Sequence, residues 1–84
     1  MSIVVFGADF CAGCKTVKDI LKSKGVEFIE RDVNNVDHME EAQKHGVRSI
    51  PTVVYTAADG VHIFTGASKM TIDSILLHIE GDRV

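Results

Sequence analysis

The sequence predicts an α/β domain: a four-stranded mixed sheet flanked by three helices in the order β-α-β-α-β-β-α. Three observations carry this prediction. Short β-branched runs alternate with segments that repeat apolar residues at helical spacing, and the alternation is broken by one hairpin pattern near residue 60. The chain has 84 residues, which is room for one hydrophobic core, so residues 1–84 form a single domain.

Ile3 to Phe6 is a continuous apolar run of the kind that forms a strand covered on both faces. Gly7 to Gly13 reads as a loop. Val17, Ile20 and Leu21 then recur at helical spacing until Lys22, Lys24 and Gly25 supply a cationic last turn and a stop. Val26 to Val33 is the second strand, and Asn34-Asn35 offers helix-capping side chains. From Val36 the segment is rich in helix formers and closes at His45-Gly46. Ile50 to Tyr55, the turn Ala58-Asp59-Gly60, and Val61 to Thr65 form the hairpin. Ile72, Ile75, Leu76 and Ile79 mark the third helix, with Thr71 as N-cap, Met70 stapled onto Ile75 and a stop at Gly81. Helices between the first three strands are expected to act as crossovers that leave those strands parallel.

Composition narrows the function classes. Nine basic residues against twelve acidic ones give a formal charge of −3, and the five aromatics are scattered, so the chain lacks the basic surface that phosphate backbones require. Nucleic acid is not an expected partner. No apolar run approaches the roughly 20 residues that cross a bilayer, and neither a membrane partner nor a secretory signal is expected. The expected compartment is the cytoplasm and the expected state a monomer. Two cysteines three positions apart are too few for a disulfide framework and read as a functional pair.

Phe10-Cys11-Ala12-Gly13-Cys14-Lys15 stands where the first strand hands over to the first helix. A helix N-terminus favours an anion, so this position stabilises a thiolate at Cys11, with Lys15 adding support one turn away. Cys11 is the expected nucleophile. Cys14, about one turn into the helix, is less exposed yet close enough to attack a mixed disulfide at Cys11, and is the expected resolving thiol. Two other readings compete. Buried packing cysteines are common singly, though less so as a spaced pair. A soft-metal module with a ferredoxin-like fold also presents C-x-x-C after its first strand, but requires a β-α-β-β-α-β order, and here a helical segment ending at His45-Gly46 separates the second strand from Ile50. Zinc would need further ligands; His38, His45, His62 and His78 show no ligand spacing and read as solvated side chains. No metal and no cofactor beyond the redox-active pair is expected.

These residues resemble the thioredoxin superfamily over nearly the whole chain. Three motifs in order carry the resemblance: the cysteine segment, then Gly46-Val47-Arg48-Ser49-Ile50-Pro51-Thr52, then Thr65-Gly66-Ala67. The resemblance implies a thioredoxin-like fold with Pro51 cis beside the cysteines. It further implies a substrate surface made of Phe10, Ser49, Ile50, Pro51 and Gly66, with the Ile50 backbone pairing with an extended client segment and Gly66 letting the client's backbone approach. Its length and the short segment before the cysteines are similar to glutaredoxins and small glutaredoxin-like thioredoxins, whereas the second and third motifs are similar to thioredoxin proper.

Some positions depart from each branch. Phe10 and Ala12-Gly13 stand where thioredoxins have Trp and Gly-Pro, and Val5 stands where they bury an aspartate that takes the resolving thiol's proton, so another base or water must serve. The pair lacks the Pro-Tyr interior of glutaredoxins, and Ala67-Ser68-Lys69 replaces the acidic residues that hold the amino group of glutathione. The resemblance therefore implies a dithiol-disulfide oxidoreductase that reduces protein disulfides. Its implied donor is a thioredoxin reductase and its clients are enzymes such as ribonucleotide reductase. The alternative is a glutathione-dependent glutaredoxin.

Overall fold

A computed structural model describes residues 2–83. The elements in chain order are β1 (Ser2–Gly7), α1 (Ala12–Ser23), β2 (Ile29–Asp32), α2 (Val36–Lys44), β3 (Thr52–Ala57), β4 (Gly60–Thr65) and α3 (Lys69–Arg83). The four strands form one mixed sheet in the order β2-β1-β3-β4, which is the expected fold class.

Strand pleating divides the core in two. Ile3 and Val5 of β1, with Val53 and Tyr55 of β3, face Val17 and Leu21 of α1 and Ile75 and Ile79 of α3. Phe6 and Val54 point the other way, onto Ala42 of α2. Two helices therefore cover one face and one helix the other, and β1, central in the sheet, is apolar from Ile3 to Phe6 because it contributes to both cores. The weak apolar stripe of α2 suffices because Ala42 is its only buried residue.

The strand directions correct one expectation. β1 and β2 are parallel, but β3 runs antiparallel to β1, from Phe6 beside Thr52 to Ser2 beside Thr56. The connection through α2 does not return the chain for a third parallel strand. It carries the chain past β1 to its other edge, where β3 starts at the end at which β1 finishes. β4 pairs antiparallel with β3, Thr65 beside Thr52. The end of β1, the start of β3 and the end of β4 thus share one edge of the molecule.

Other differences are local. β2 begins at Ile29, not Val26, because Val26 N–H still donates to Leu21 O at the exit of α1 (3.0 Å) and its side chain fills the core beneath that helix. α3 begins at Lys69, since Ser68 Oγ accepts from Thr71 N–H (3.2 Å) and so performs the capping expected of Thr71. Met70 is 81% exposed and staples nothing. Gly81 does not end α3, which continues to Arg83. No helix among the described residues is long and apolar enough to cross a membrane.

Candidate active site

The shared edge brings the three sequence motifs together. β1 delivers the loop that carries Cys11, β3 begins just after Pro51, and β4 ends just before Gly66. Gly66 N–H donates to Pro51 O (2.8 Å), which ties the second motif to the third. Gly13 ties the first to both: a β-carbon there would stand 3.3 Å from Pro51 Cδ and 3.2 Å from Ala67 Cβ. The Ile50–Pro51 peptide bond is cis. Thr52, fully buried, donates from Oγ1 to Ser49 O (2.7 Å) and fixes the loop before the proline. Gly66 has φ +96°, a backbone conformation that side chains disfavour, while a β-carbon there would meet nothing within 4 Å. Backbone geometry, not space within the chain, calls for glycine at that position.

Cys11 is the N-cap of α1, with extended backbone (φ −96°, ψ 108°). Its sulfur accepts from Cys14 N–H at 3.1 Å, one of the amides a helix leaves unpaired in its first turn. No acidic side chain occupies that turn, so nothing competes for the positive end of the helix dipole. A negative charge on the Cys11 sulfur is therefore favoured both by a hydrogen bond and by the dipole. Cys11 and Cys14 are bonded sulfur to sulfur, with their α-carbons 5.2 Å apart. Their surroundings differ: Cys11 is half-buried, whereas Cys14 is 1% exposed. An incoming molecule can reach the first sulfur and not the second.

The remaining expected site residues take different places relative to this pair. Phe10 precedes Cys11 and is 79% exposed, a large apolar side chain presented beside the reactive sulfur. Ser49 and Ile50 border a separate hollow of about 230 Å³ that runs toward Met39 and Val47 on the α2 side. Pro51 is buried and Gly66 half-buried. Ser68 and Lys69 are exposed at the start of α3, and the Lys69 ammonium is held by Asp73 at 2.8 Å. That carboxylate keeps the ammonium protonated to higher pH than usual.

Sequence reasoning missed a second side of the site. Cys14 borders a cleft of about 280 Å³ that also touches Gly7 of β1, Lys18 of α1, Glu30 and Asp32 of β2, and His38 of α2. His38, read from sequence as a solvated side chain, is half-buried with its ring Nδ1 3.3 Å from Asp32 O. Nothing in the spacing of these residues announces the cleft, because it forms only where α1 and β2 stand side by side. No three His, Cys, Asp or Glu side chains among the described residues gather where they could hold a metal.

The glutaredoxin family model matches residues 3–63. A glutaredoxin-like 8.6 kDa protein of the rubredoxin operon of Clostridium pasteurianum, itself uncharacterised, is 31% identical over 74 residues, covering 88% of this chain and 96% of its own. Among solved structures, a mutant of a thioredoxin-like protein superposes with a TM-score of 0.75 at 27% identity, over 89% of this chain and 99% of the other. Thioredoxin F from spinach chloroplast gives 0.77 at 22% identity, over 99% and 76%, a likeness of fold.

Proposed function

This chain belongs to the glutaredoxin family, and from that premise we propose that it is a thiol-disulfide carrier that reduces protein disulfides through Cys11 and Cys14 and takes its electrons from an NADPH-coupled thioredoxin reductase. The observation that carries the reading is the asymmetry of the pair: Cys11 at a helix N-cap within reach of solvent, Cys14 buried one turn deeper.

The chemistry is two successive exchanges. The Cys11 thiolate attacks one sulfur of the client disulfide, the client's other sulfur leaves as thiolate, and a mixed disulfide remains. Cys14, as thiolate, then attacks the Cys11 sulfur and displaces the second client thiolate. Both client thiolates take protons from solvent, and the two electrons that left the dithiol are replaced when the reductase reopens the Cys11–Cys14 bond. Phe10, Ser49, Ile50, Pro51 and Gly66 form the surface on which the client lies. Ile50, half-buried just before β3, supports pairing with an extended segment, and ribonucleotide reductase is a client of suitable chemistry. Such a cycle suits a reducing compartment, the cytoplasm.

The family match also favours a second reading, with glutathione as the donor. Against it stand Ser68 and Lys69, which put no free carboxylate at the start of α3 to meet the amino group of glutathione. Lacking that charge-assisted contact costs about 1.5–3 kcal/mol, or roughly 10- to 100-fold in affinity. Stopped-flow reduction of the oxidised protein by each donor is the test. Faster reduction by thioredoxin reductase than by millimolar glutathione is expected, and efficient turnover with glutathione alone would reverse the assignment.

A further inference from the structure

The dithiol cycle proposed above requires Cys14 to lose a proton before it attacks, because the thiolate and not the thiol is the nucleophile. At 1% exposure Cys14 is poorly placed to give that proton to bulk solvent, and withdrawal from water favours the neutral thiol. The cleft beside it is large enough for water. Its titratable and charged lining residues are Asp9 before α1, Lys18 of α1, Glu30, Arg31 and Asp32 of β2, and His38 of α2.

Most of these are poorly suited to receive a thiol's proton. Lys18 and Arg31 are cations that already carry theirs. Glu30 faces the Lys18 ammonium at 3.5 Å, Asp32 Oδ1 accepts from Asn34 N–H at 2.9 Å, and carboxylates are bases about four pK units weaker than a thiolate. His38 differs. Its Nδ1 lies 3.3 Å from Asp32 O, and a carbonyl can only accept, so in the neutral ring Nδ1 carries the hydrogen and Nε2 keeps the lone pair. The backbone amide of His38 is in turn held by Asn35 Oδ1 at 3.3 Å, in the capped first turn of α2.

We propose that His38 is the proton-relay residue of the resolving step, taking the Cys14 proton through water in the cleft; the proposal rests on the dithiol reading above. The Cys14 S–H bond breaks and its proton passes by way of water to His38 Nε2, giving imidazolium. The freed electron pair on sulfur forms the bond to Cys11 Sγ. The bond from Cys11 to the client breaks, the client leaves as thiolate, and the imidazolium returns the proton to solvent.

Stopped-flow reaction of the reduced protein with dithionitrobenzoate, an aromatic disulfide, separates the two exchanges. One thionitrobenzoate is released in a phase that depends on reagent concentration as Cys11 is attacked, and a second in a concentration-independent phase as Cys14 resolves the adduct. His38→Asn retains an N–H for Asp32 O and removes the base. It is expected to slow the second phase about tenfold at neutral pH, below the low end of what a positioned base contributes because water intervenes. The first phase and the melting temperature should stay as in wild type. In the variant the slow phase should steepen to tenfold per pH unit, and added imidazole should restore it. His38→Gln, a second variant, should behave alike. Identical second phases and pH profiles in wild type and both variants would overturn the relay, as would a loss that follows Glu30→Gln instead. A wild-type protein with no concentration-independent phase at all would instead defeat the dithiol reading, and the relay with it.

Discussion

The sulfur of Cys14 rests against the α-carbon of Gly7: a β-carbon on Gly7 would lie 2.8 Å from Cys14 Sγ and 3.0 Å from its Cβ. The last residue of β1 therefore lacks a side chain because the resolving sulfur occupies that space. Gly7 has no positive φ, so Gly7→Ala brings a steric effect and no backbone one. Overpacking of this kind costs typically about 1–3 kcal/mol. Urea unfolding of Gly7→Ala should show that loss together with slower closure of the Cys11–Cys14 bond; unchanged stability and thiol kinetics would contradict the packing described.

The two cysteines should separate cleanly by mutation. Cys14→Ser leaves the reachable sulfur and removes the one that resolves, so mixed disulfides with clients should accumulate, whereas Cys11→Ser should form none. Mass spectrometry after exposure to a disulfide substrate distinguishes them, and stable adducts at Cys14 would reverse the roles. Under a dithiol mechanism, reductase activity should vanish in both.

Gly13→Ala sets two effects against each other. Alanine is favoured over glycine inside a helix by about 1 kcal/mol, while the new methyl must push on Pro51 and Ala67 at 3.3 and 3.2 Å. Stability should change little because these oppose. Activity should not be spared, since the methyl shifts the loop that meets the client, and a drop of about tenfold in kcat/KM is expected. A variant as active as wild type would show that the Gly13–Pro51 contact does not position the site.

The α3 stripe is unequally buried. Ile75 is 1% exposed at the centre of the larger core, Leu76 packs only partly against it, and Met70 lies in solvent. Ile75→Ala should cost about 2–5 kcal/mol, Leu76→Ala distinctly less, and Met70→Ala almost nothing. Denaturant titration in both redox states should return the same ranking, because a bond spanning two intervening residues constrains the unfolded chain only modestly. Unfolding on reduction alone would make the disulfide structural.

At the β3–β4 turn, His62 Nε2 lies 3.0 Å from Asp59 Oδ1, and this hydrogen bond holds the Asp59 carboxyl below its usual range. A lowered carboxyl pKa favours the fold above the unfolded value, and the gain is lost as pH falls through the folded one. Because Asp59 is fully exposed, the pair is screened by solvent. Asp59→Asn should therefore leave the acid-unfolding midpoint almost where it is in wild type, and a large shift in an acid titration followed by circular dichroism would show that the turn matters more than its exposure implies.

What was legible in the sequence was local. The spacing of Cys11 and Cys14 at a strand-to-helix junction, the Pro51 and Gly66 motifs, the hairpin and the order of seven elements are properties of short windows, where hydrophobic period and turn chemistry act directly. The direction of β3 was not legible, because alternating strands and helices are equally consistent with a third parallel strand. Only packing across the sheet decides it: β1 has two free edges, and α2 covers the face opposite α1 and α3 while the chain crosses to the second edge. That tertiary choice brings Pro51, and through it Gly66, beside Gly13 of the cysteine segment, since a β3 parallel to β1 would start at the far end of the sheet. The cleft at Cys14 has the same origin. Gly7, Lys18, Glu30 and His38 belong to four different elements, and no periodicity within one segment reports what another segment lays beside it.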